Sequence, residues 1–336
     1  MIEIPVVSAH ALQRLILLVA MSSVTWSGTG VAQNASSTYP SRPVTVVLPF
    51  PAGGPVDNEA RLYTQKLSQD FARPFVLDFK AGAGSTIGVA YVAKAPPDGY
   101  TLLVTNSSFS IAPAFYPNLP YDPIRDLAPI SMMSKRTTLL LASPNLPFST
   151  VPEYIAYVRS HPNQINMATV GAGSALHLAG AWLHSATDTK VTFVHYKGAG
   201  PVYLDLIAGR VQVAFITLSS AMPYIKSGKL KLLGLASLER SSLLPDIPTI
   251  AEQVSPGFEY SSWMGFSAPG ATPADFINKL SSQMARIARS PELVQKLAPE
   301  GTILIGSTPE QFRQHIVTET ARWRKLVQDT GMKLEE

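Results

Sequence analysis

Residues 44–57, Val44-Thr45-Val46-Val47-Leu48-Pro49-Phe50-Pro51-Ala52-Gly53-Gly54-Pro55-Val56-Asp57, fix the architecture of this 336-residue chain. The opening five residues are a near-continuous β-branched run, which is what a parallel strand covered on both faces requires. A turn rich in proline and glycine follows, and then a helix from Asp57 to Phe71, with Ala60, Tyr63, Leu67 and Phe71 on one face. The pattern recurs with a strand at Phe75–Phe79, a helix from Ser85 to Ala93 and a strand at Thr101–Val104. This is a βαβαβ unit. Sheets wound in this way bind ligands outside the carboxyl ends of their strands, so function is expected in the strand-to-helix turns.

The second half repeats the logic. Ile165–Ala168, Val191–His195, Val211–Ile216 and Leu230–Ala236 read as strands, with helices at Ser174–His184, Pro201–Ala208 and Ser219–Lys226 between them. Gly209 and Gly228 stop the last two helices. Thr272-Pro273-Ala274-Asp275 and Thr308-Pro309-Glu310-Gln311 read as helix starts, each with a Thr cap and Pro in the first turn. The fold class is therefore α/β. Two cores are affordable, since 46% of the chain is apolar and only 15% is charged, against about 25% in an ordinary soluble protein. The 28 prolines exclude a long helical bundle.

The start of the chain carries a different signal. No residue between Arg14 and Arg42 is charged, and Leu15–Met21 is a short apolar run that ends in small residues at Gly30-Val31-Ala32. Seven apolar residues fall far short of the roughly 20 needed to span a bilayer. The pattern is that of a cleavable export signal over residues 1–32, which makes the mature protein soluble and extracytoplasmic. The absence of cysteine excludes disulfides, thiolate metal sites, Cys nucleophiles and a thiol-linked lipid anchor. A net charge of +4, spread along the chain, leaves no nucleic-acid footprint.

Three strand-to-helix turns are rich in glycine. They are Pro49–Asp57, Ala81-Gly82-Ala83-Gly84-Ser85-Thr86 and Thr169-Val170-Gly171-Ala172-Gly173-Ser174. Glycine lets the backbone approach a ligand closely. A helix starting just beyond offers unpaired N–H groups and a positive dipole end to an anion such as a carboxylate. Gly82–Gly88 has the spacing GxGxxxG, but no acidic residue ends the next strand to hold a ribose. Neither a GxSxG elbow nor a GxxxxGK[ST] loop occurs. His177 and His184 lie seven apart, two helical turns, where a metal pair prefers one, so both read as core or surface histidines. Acidic residues are too scattered to nominate a general acid and base. No cofactor or metal is expected, and no catalytic residue is nominated.

At these turns the sequence resembles the tripartite tricarboxylate transporter solute-binding receptors, the Bug family of periplasmic binding proteins. The matching stretches include PFPAGGPVDNEAR (Pro49–Arg61), KAGAGSTIG (Lys80–Gly88), APPDGYTLL (Ala95–Leu103), VGAGSALHLAG (Val170–Gly180), HYKGAGPVYLDLIAGRVQVAF (His195–Phe215) and LPDIPTIAE (Leu244–Glu252). They run in the family's order from Tyr39 to Gly331. The resemblance implies two doubly wound α/β domains joined by two crossover segments, closing on a ligand as a hinged trap. Residues 39–138 with 262–336 would form the first domain and 139–261 the second. It further implies a ligand carboxylate held by backbone groups and ordered water between the first and third turns. Carried over, that nominates Phe50, Ala52, Gly53 and Asp57 on one side and Thr169, Gly173, Ser174 and His177 on the other. Ser85 of the second turn and Asp205, which matches a helix aspartate near the cleft, complete the ligand-binding set.

The implied function is a monomeric periplasmic receptor that captures a small carboxylate and passes it to membrane transporter subunits. The alternatives are a carboxylate sensor for a signalling partner and an α/β enzyme such as a hydrolase. The chain departs from the family pattern at Val56, where Thr or Ser is usual, at Ser85, commonly Gly, at Thr169, often Ser, and at Thr217, often Asp or Asn. The losses at Val56 and Thr217 lean away from amino-acid ligands and toward a simple or partly apolar carboxylate.

Overall fold

The computed structural model describes residues 39–331, apart from residues 51, 54, 117, 172, 173, 197 and 198. The expected export signal, its cleavage point and Gly173 lie outside the described residues. All the elements belong to one unit that begins at Pro40. In chain order they are β1 (Val44–Leu48), α1 (Pro55–Phe71), β2 (Phe75–Phe79), α2 (Thr86–Ala93), β3 (Thr101–Asn106), α3 (Ser107–Phe115) and β4 (Leu127–Ala142). Then come α4 (Val151–Ser160), β5 (Asn166–Thr169), α5 (Ala175–Ala186), β6 (Thr192–His195), α6 (Ala199–Ile207), β7 (Val213–Thr217), α7 (Leu218–Lys226) and β8 (Lys231–Leu235). The chain closes with α8 (Ile250–Gln253), β9 (Ser261–Pro269), α9 (Ala274–Ala288), α10 (Pro291–Leu297), β10 (Thr302–Leu304) and α11 (Pro309–Thr330).

One mixed sheet runs β2-β1-β3-β9-β4-β7-β5-β6, with β8 and β10 also paired to β4. Strands β1, β2 and β3 are mutually parallel, as are β5, β6 and β7. Strand β4 joins the two sets and changes partners along its length. Through Thr137 it pairs with β9, and from Thr138 onward with β7. Because β9 is antiparallel to both β3 and β4, β3 runs in the direction of β4; β7 is antiparallel to β4 and runs the opposite way. The carboxyl ends of both parallel sets therefore point at the switch between Thr137 and Thr138. Asn106 at the end of β3 registers through Met264 with Ser134, and Thr217 at the end of β7 registers with Thr138. Those two points on β4 are about 13 Å apart at the usual strand rise.

Helices cover both faces, which explains the continuous apolar runs. Leu140 and Ala142 of β4 with Val213 and Phe215 of β7 face Tyr154 and Val158 of α4 and Leu178 and Leu183 of α5. The alternate residues Leu139, Leu141, Ala214 and Ile216 face Val202 and Leu206 of α6 and Ala221 of α7. In the first set, Val47 and Leu103 pack with Val89 and Val92 of α2, Phe109 of α3, and Phe312 and Ile316 of α11. On its other face Tyr63 of α1 meets Phe266 of β9 edge-on, ring centroids 6.0 Å apart. Each fully buried side chain of this size is worth about 1.5–3 kcal/mol.

Helix α11 spans both cores. Its Phe312 and Ile316 lie in the first, and its Trp323 and Leu326 in the second. At the junction the buried Glu319 carboxylate accepts the indole N–H groups of Trp263 at 3.1 Å and Trp323 at 3.3 Å. Burial pushes the Glu319 pKa up.

The helix start at Thr308 is a capping box, with Thr308 Oγ1 accepting the Gln311 N–H and the Gln311 side chain accepting the Thr308 N–H. The start at Thr272 differs from expectation. Helix α9 is entered from Pro273, whose extended ψ of 139° places it at the cap, and Thr272 Oγ1 is buried without a partner.

Candidate functional site

The turn after β1 is closed by its own helix. The Gly53 N–H donates to Asp57 Oδ2 at 2.8 Å, and Arg61 Nε lies 2.8 Å from Asp57 Oδ1. Asp57 is buried in the first turn of α1, where a carboxylate is favoured by the helix dipole. Gly53 has φ +88°, a left-handed value that other residues adopt only with strain. Ala52 and Gly53 are exposed and Phe50 is half-buried. Asp57 thus shapes the turn, with Oδ2 hydrogen-bonded to Gly53 and Oδ1 held by the Arg61 ion pair alone.

The second turn lies against the first. Gly88 in α2 sits so near Pro49 that a Cβ there would fall 2.7 Å from Pro49 Cβ and 2.9 Å from the Lys80 carbonyl oxygen. Gly82, Gly84 and Ser85 all have positive φ, and the Ser85 N–H donates to the Gly82 carbonyl at 3.0 Å. Ser85 is buried and its hydroxyl has no hydrogen-bond partner in the protein. Tyr116, just beyond α3, comes to the turn from a segment carrying no motif; its Oη stands 3.5 Å from where a Cβ on Gly84 would be.

In the third turn, buried Thr169 ends β5 and its Oγ1 donates to the Gly171 carbonyl at 3.3 Å. The same oxygen lies 2.6 Å from His195 Nδ1 at the end of β6. Ser174 caps α5 through its hydroxyl, which accepts the His177 N–H at 3.3 Å. The His177 ring is buried edge-on against Phe193 and His195, with centroids 4.5 and 4.7 Å away. Burial, aided by His195, pulls the His177 pKa down to about 4, so the imidazole is neutral at pH 7. His177 also lines a cavity of about 600 Å³ together with His184, Lys190 and Phe193.

Asp205 on α6 is tied back to the same strand ends. The Tyr196 hydroxyl donates to Asp205 Oδ2 at 2.7 Å, and Arg210 Nη1 donates to Oδ1 at 2.7 Å. These bonds, that from Tyr196 first, hold the Asp205 pKa below the usual carboxylate range. Burial, with the bond to Asp205, pushes the Tyr196 pKa up to about 12. The Tyr196 N–H donates to the Thr169 carbonyl, so Asp205, Tyr196 and the third turn form one hydrogen-bonded set.

Two further turns face the switch point and carry no glycine signal. At the end of β3, Asn106 Oδ1 accepts the Ser108 N–H at 2.9 Å, and Ser107 Oγ accepts the Trp263 N–H at 3.2 Å. At the end of β7, Thr217 and Ser220 hydroxyls are bonded at 2.9 Å. Their polar composition and position at strand ends were the available signals. Among the described residues no group of three His, Asp or Glu side chains could hold a metal ion, and no helix is long and apolar enough to cross a membrane.

Two parallel strand sets whose carboxyl-end turns face the strand that joins them are the architecture of periplasmic solute-binding receptors. A family profile described as "Tripartite tricarboxylate transporter family receptor" matches residues 59–332. Protein BugT of Bordetella pertussis is 33% identical over 321 residues, 95% of this chain and 98% of that one. Among solved structures, R. palustris Rpa4515 with adipate is 32% identical with a TM-score of 0.74, over 88% of this chain and all of that one. MatC from Rhodopseudomonas palustris with bound malate is also 32% identical, with a TM-score of 0.71 over 86% of this chain and all of that one. The chain belongs to the tripartite tricarboxylate transporter receptor family, as a solute-binding receptor of the Bug type.

Proposed function

We propose that this receptor captures a small carboxylate between the turns that end its two parallel strand sets and delivers it to membrane transporter subunits. The observation that carries the reading is the facing of those turns across the Thr137/Thr138 switch on β4. Adipate and malate in two relatives that this chain matches along most of its length support the ligand class. The site takes Ala52 and Gly53 on one side and Thr169, Gly173 and Ser174 on the other, with backbone N–H groups and water holding the anion. Asp57, His177 and Asp205 shape these turns through the bonds given above. Phe50 and Ser85 border the ligand.

Residues 39–138 with 262–336 act as one lobe and 139–261 as the other, with the crossings before β9 and within β4 as the hinge. The receptor works in the periplasm as a monomer after removal of residues 1–32, and it catalyses no reaction. A thermal-shift screen of di-, tri- and aromatic carboxylates tests the binding reading. A ligand at a hundredfold excess over Kd adds about 2.7 kcal/mol. Folded protein that no carboxylate stabilises would refute it.

A further inference from the structure

Glu59 is fully buried on α1, and its carboxylate is ion-paired with the guanidinium of Arg136, whose side chain is 9% exposed. The partners come from functionally distinct places. Glu59 lies two residues, about 3 Å of helix rise, beyond Asp57, which closes the first glycine turn. Arg136 lies on β4 beside Thr137, paired with Ser262 one position before the last pairing with β9, and it also registers with Thr302 of β10. The ion pair thus joins the helix that carries the turn to the strand that carries the crossing.

Stability alone is a weak reason for such a pair. Removing two charges from water costs most of what their attraction returns, and apolar residues of similar volume generally serve as well. Burial accordingly pushes the Glu59 pKa up against the opposing pull of Arg136. What an ion pair supplies that apolar packing does not is direction, since the Arg136 Nη2–H donates to Glu59 Oε2 and such a bond weakens steeply away from its preferred distance and angle. A helix is stiff over one turn, so a fixed Glu59 fixes Asp57, and Asp57 holds Gly53 through its hydrogen bond.

We propose that Glu59 and Arg136 are a positioning pair that locks the first glycine turn to the crossing strand, so that carboxylate affinity is set at this contact as well as at the turn. The proposal rests on the carboxylate-receptor reading above.

Two variants test it, E59L/R136M, which replaces both charges with apolar residues, and R136K, which keeps the charge and loses the fixed reach of Nη2 to Glu59 Oε2. Calorimetric titration with succinate, adipate and citrate gives Kd, thermal unfolding gives stability, and hydrogen exchange reports on backbone amides 52–58. The double variant should unfold close to the parent temperature yet bind at least tenfold more weakly, with faster exchange at 52–58. R136K should lose affinity severalfold in the same direction. A double variant that folds and keeps the parent Kd overturns the proposal. If the double variant does not fold, R136K with parental Kd and parental exchange does so. If the parent binds none of the three, the acid that the thermal-shift screen finds replaces them; a folded parent that binds no di-, tri- or aromatic carboxylate refutes the receptor reading itself, an outcome visible before any variant is made.

Discussion

Gly53 and Asp57 are joined by a 2.8 Å hydrogen bond in which the aspartate of the first helical turn accepts the N–H of the glycine four residues earlier. The turn is therefore preformed, and its acid serves the protein before any ligand arrives. Asp57→Ala leaves the Gly53 N–H and Arg61 without their partner and should cost about 1–2 kcal/mol, as loss of a helix cap does. Thermal unfolding at pH 7 reads this directly, and carboxylate affinity should fall with it. Asp57→Asn, which keeps an acceptor, should retain most of the stability.

Thr169 ties the third turn to β6 through His195 and to itself through Gly171. Thr169→Val keeps the shape and removes the hydroxyl, costing about 0.5–1.5 kcal/mol for the bond lost to half-buried His195. Carboxylate affinity should drop about tenfold, measured by calorimetry, while circular dichroism stays unchanged. Undiminished affinity would place the ligand elsewhere.

Glycines at different positions should respond oppositely. Gly88→Ala forces a Cβ to within 2.9 Å of the Lys80 carbonyl and into Pro49, so the first two turns must separate. Overpacking of this kind costs about 1–3 kcal/mol. Gly200 in α6 has open space around its Cβ position, and Gly200→Ala should stabilise by roughly 0.4–1 kcal/mol through the unfolded chain. Chemical denaturation of the two variants gives the comparison.

Stability should fall as pH drops from 6.5 to 4. Burial lowers the pKa values of His177, His184 and His315 to about 4 in the folded protein, whereas the unfolded chain takes up those protons near pH 6.5. The unfolded state binds more protons in that window, so acid favours unfolding, by at most about 3 kcal/mol per group. Glu59 and Glu319, raised by burial, act in the opposite sense. Denaturation midpoints across the window test this; His315→Gln should flatten the slope, and an unchanged slope would contradict the assignment.

Strands β1, β2, β3, β5, β6 and β7 and the helices after β1, β2, β5, β6 and β7 were legible because a β-branched run, a glycine turn and a 3.6-residue stripe are local patterns, whereas helix α3 after β3 was not read. Their ends shifted by a residue or two, as between Ile165–Ala168 and the observed Asn166–Thr169. Strand β4 was not legible. Its sixteen residues pass between two cores, and at the crossing they include Ser134, Lys135, Arg136, Thr137 and Thr138, which break any apolar period. The Glu59–Arg136 pair joins residues 77 apart in sequence, and periodicity carries no information at that range. His195 and Tyr196 were visible only as letters in a motif; their bonds to Thr169 and Asp205 depend on strand pairing. Thr272 failed as a cap because Pro273 fixes the backbone one residue later.

Calorimetric titration of the folded protein with a panel of di-, tri- and aromatic carboxylates bears on the whole reading at once. At least one acid should bind saturably at one site per chain, with affinity reduced about tenfold in Thr169→Val, the loss of about one hydrogen bond. Folded protein that releases no heat and gains no thermal stability with any acid of the panel would contradict the account.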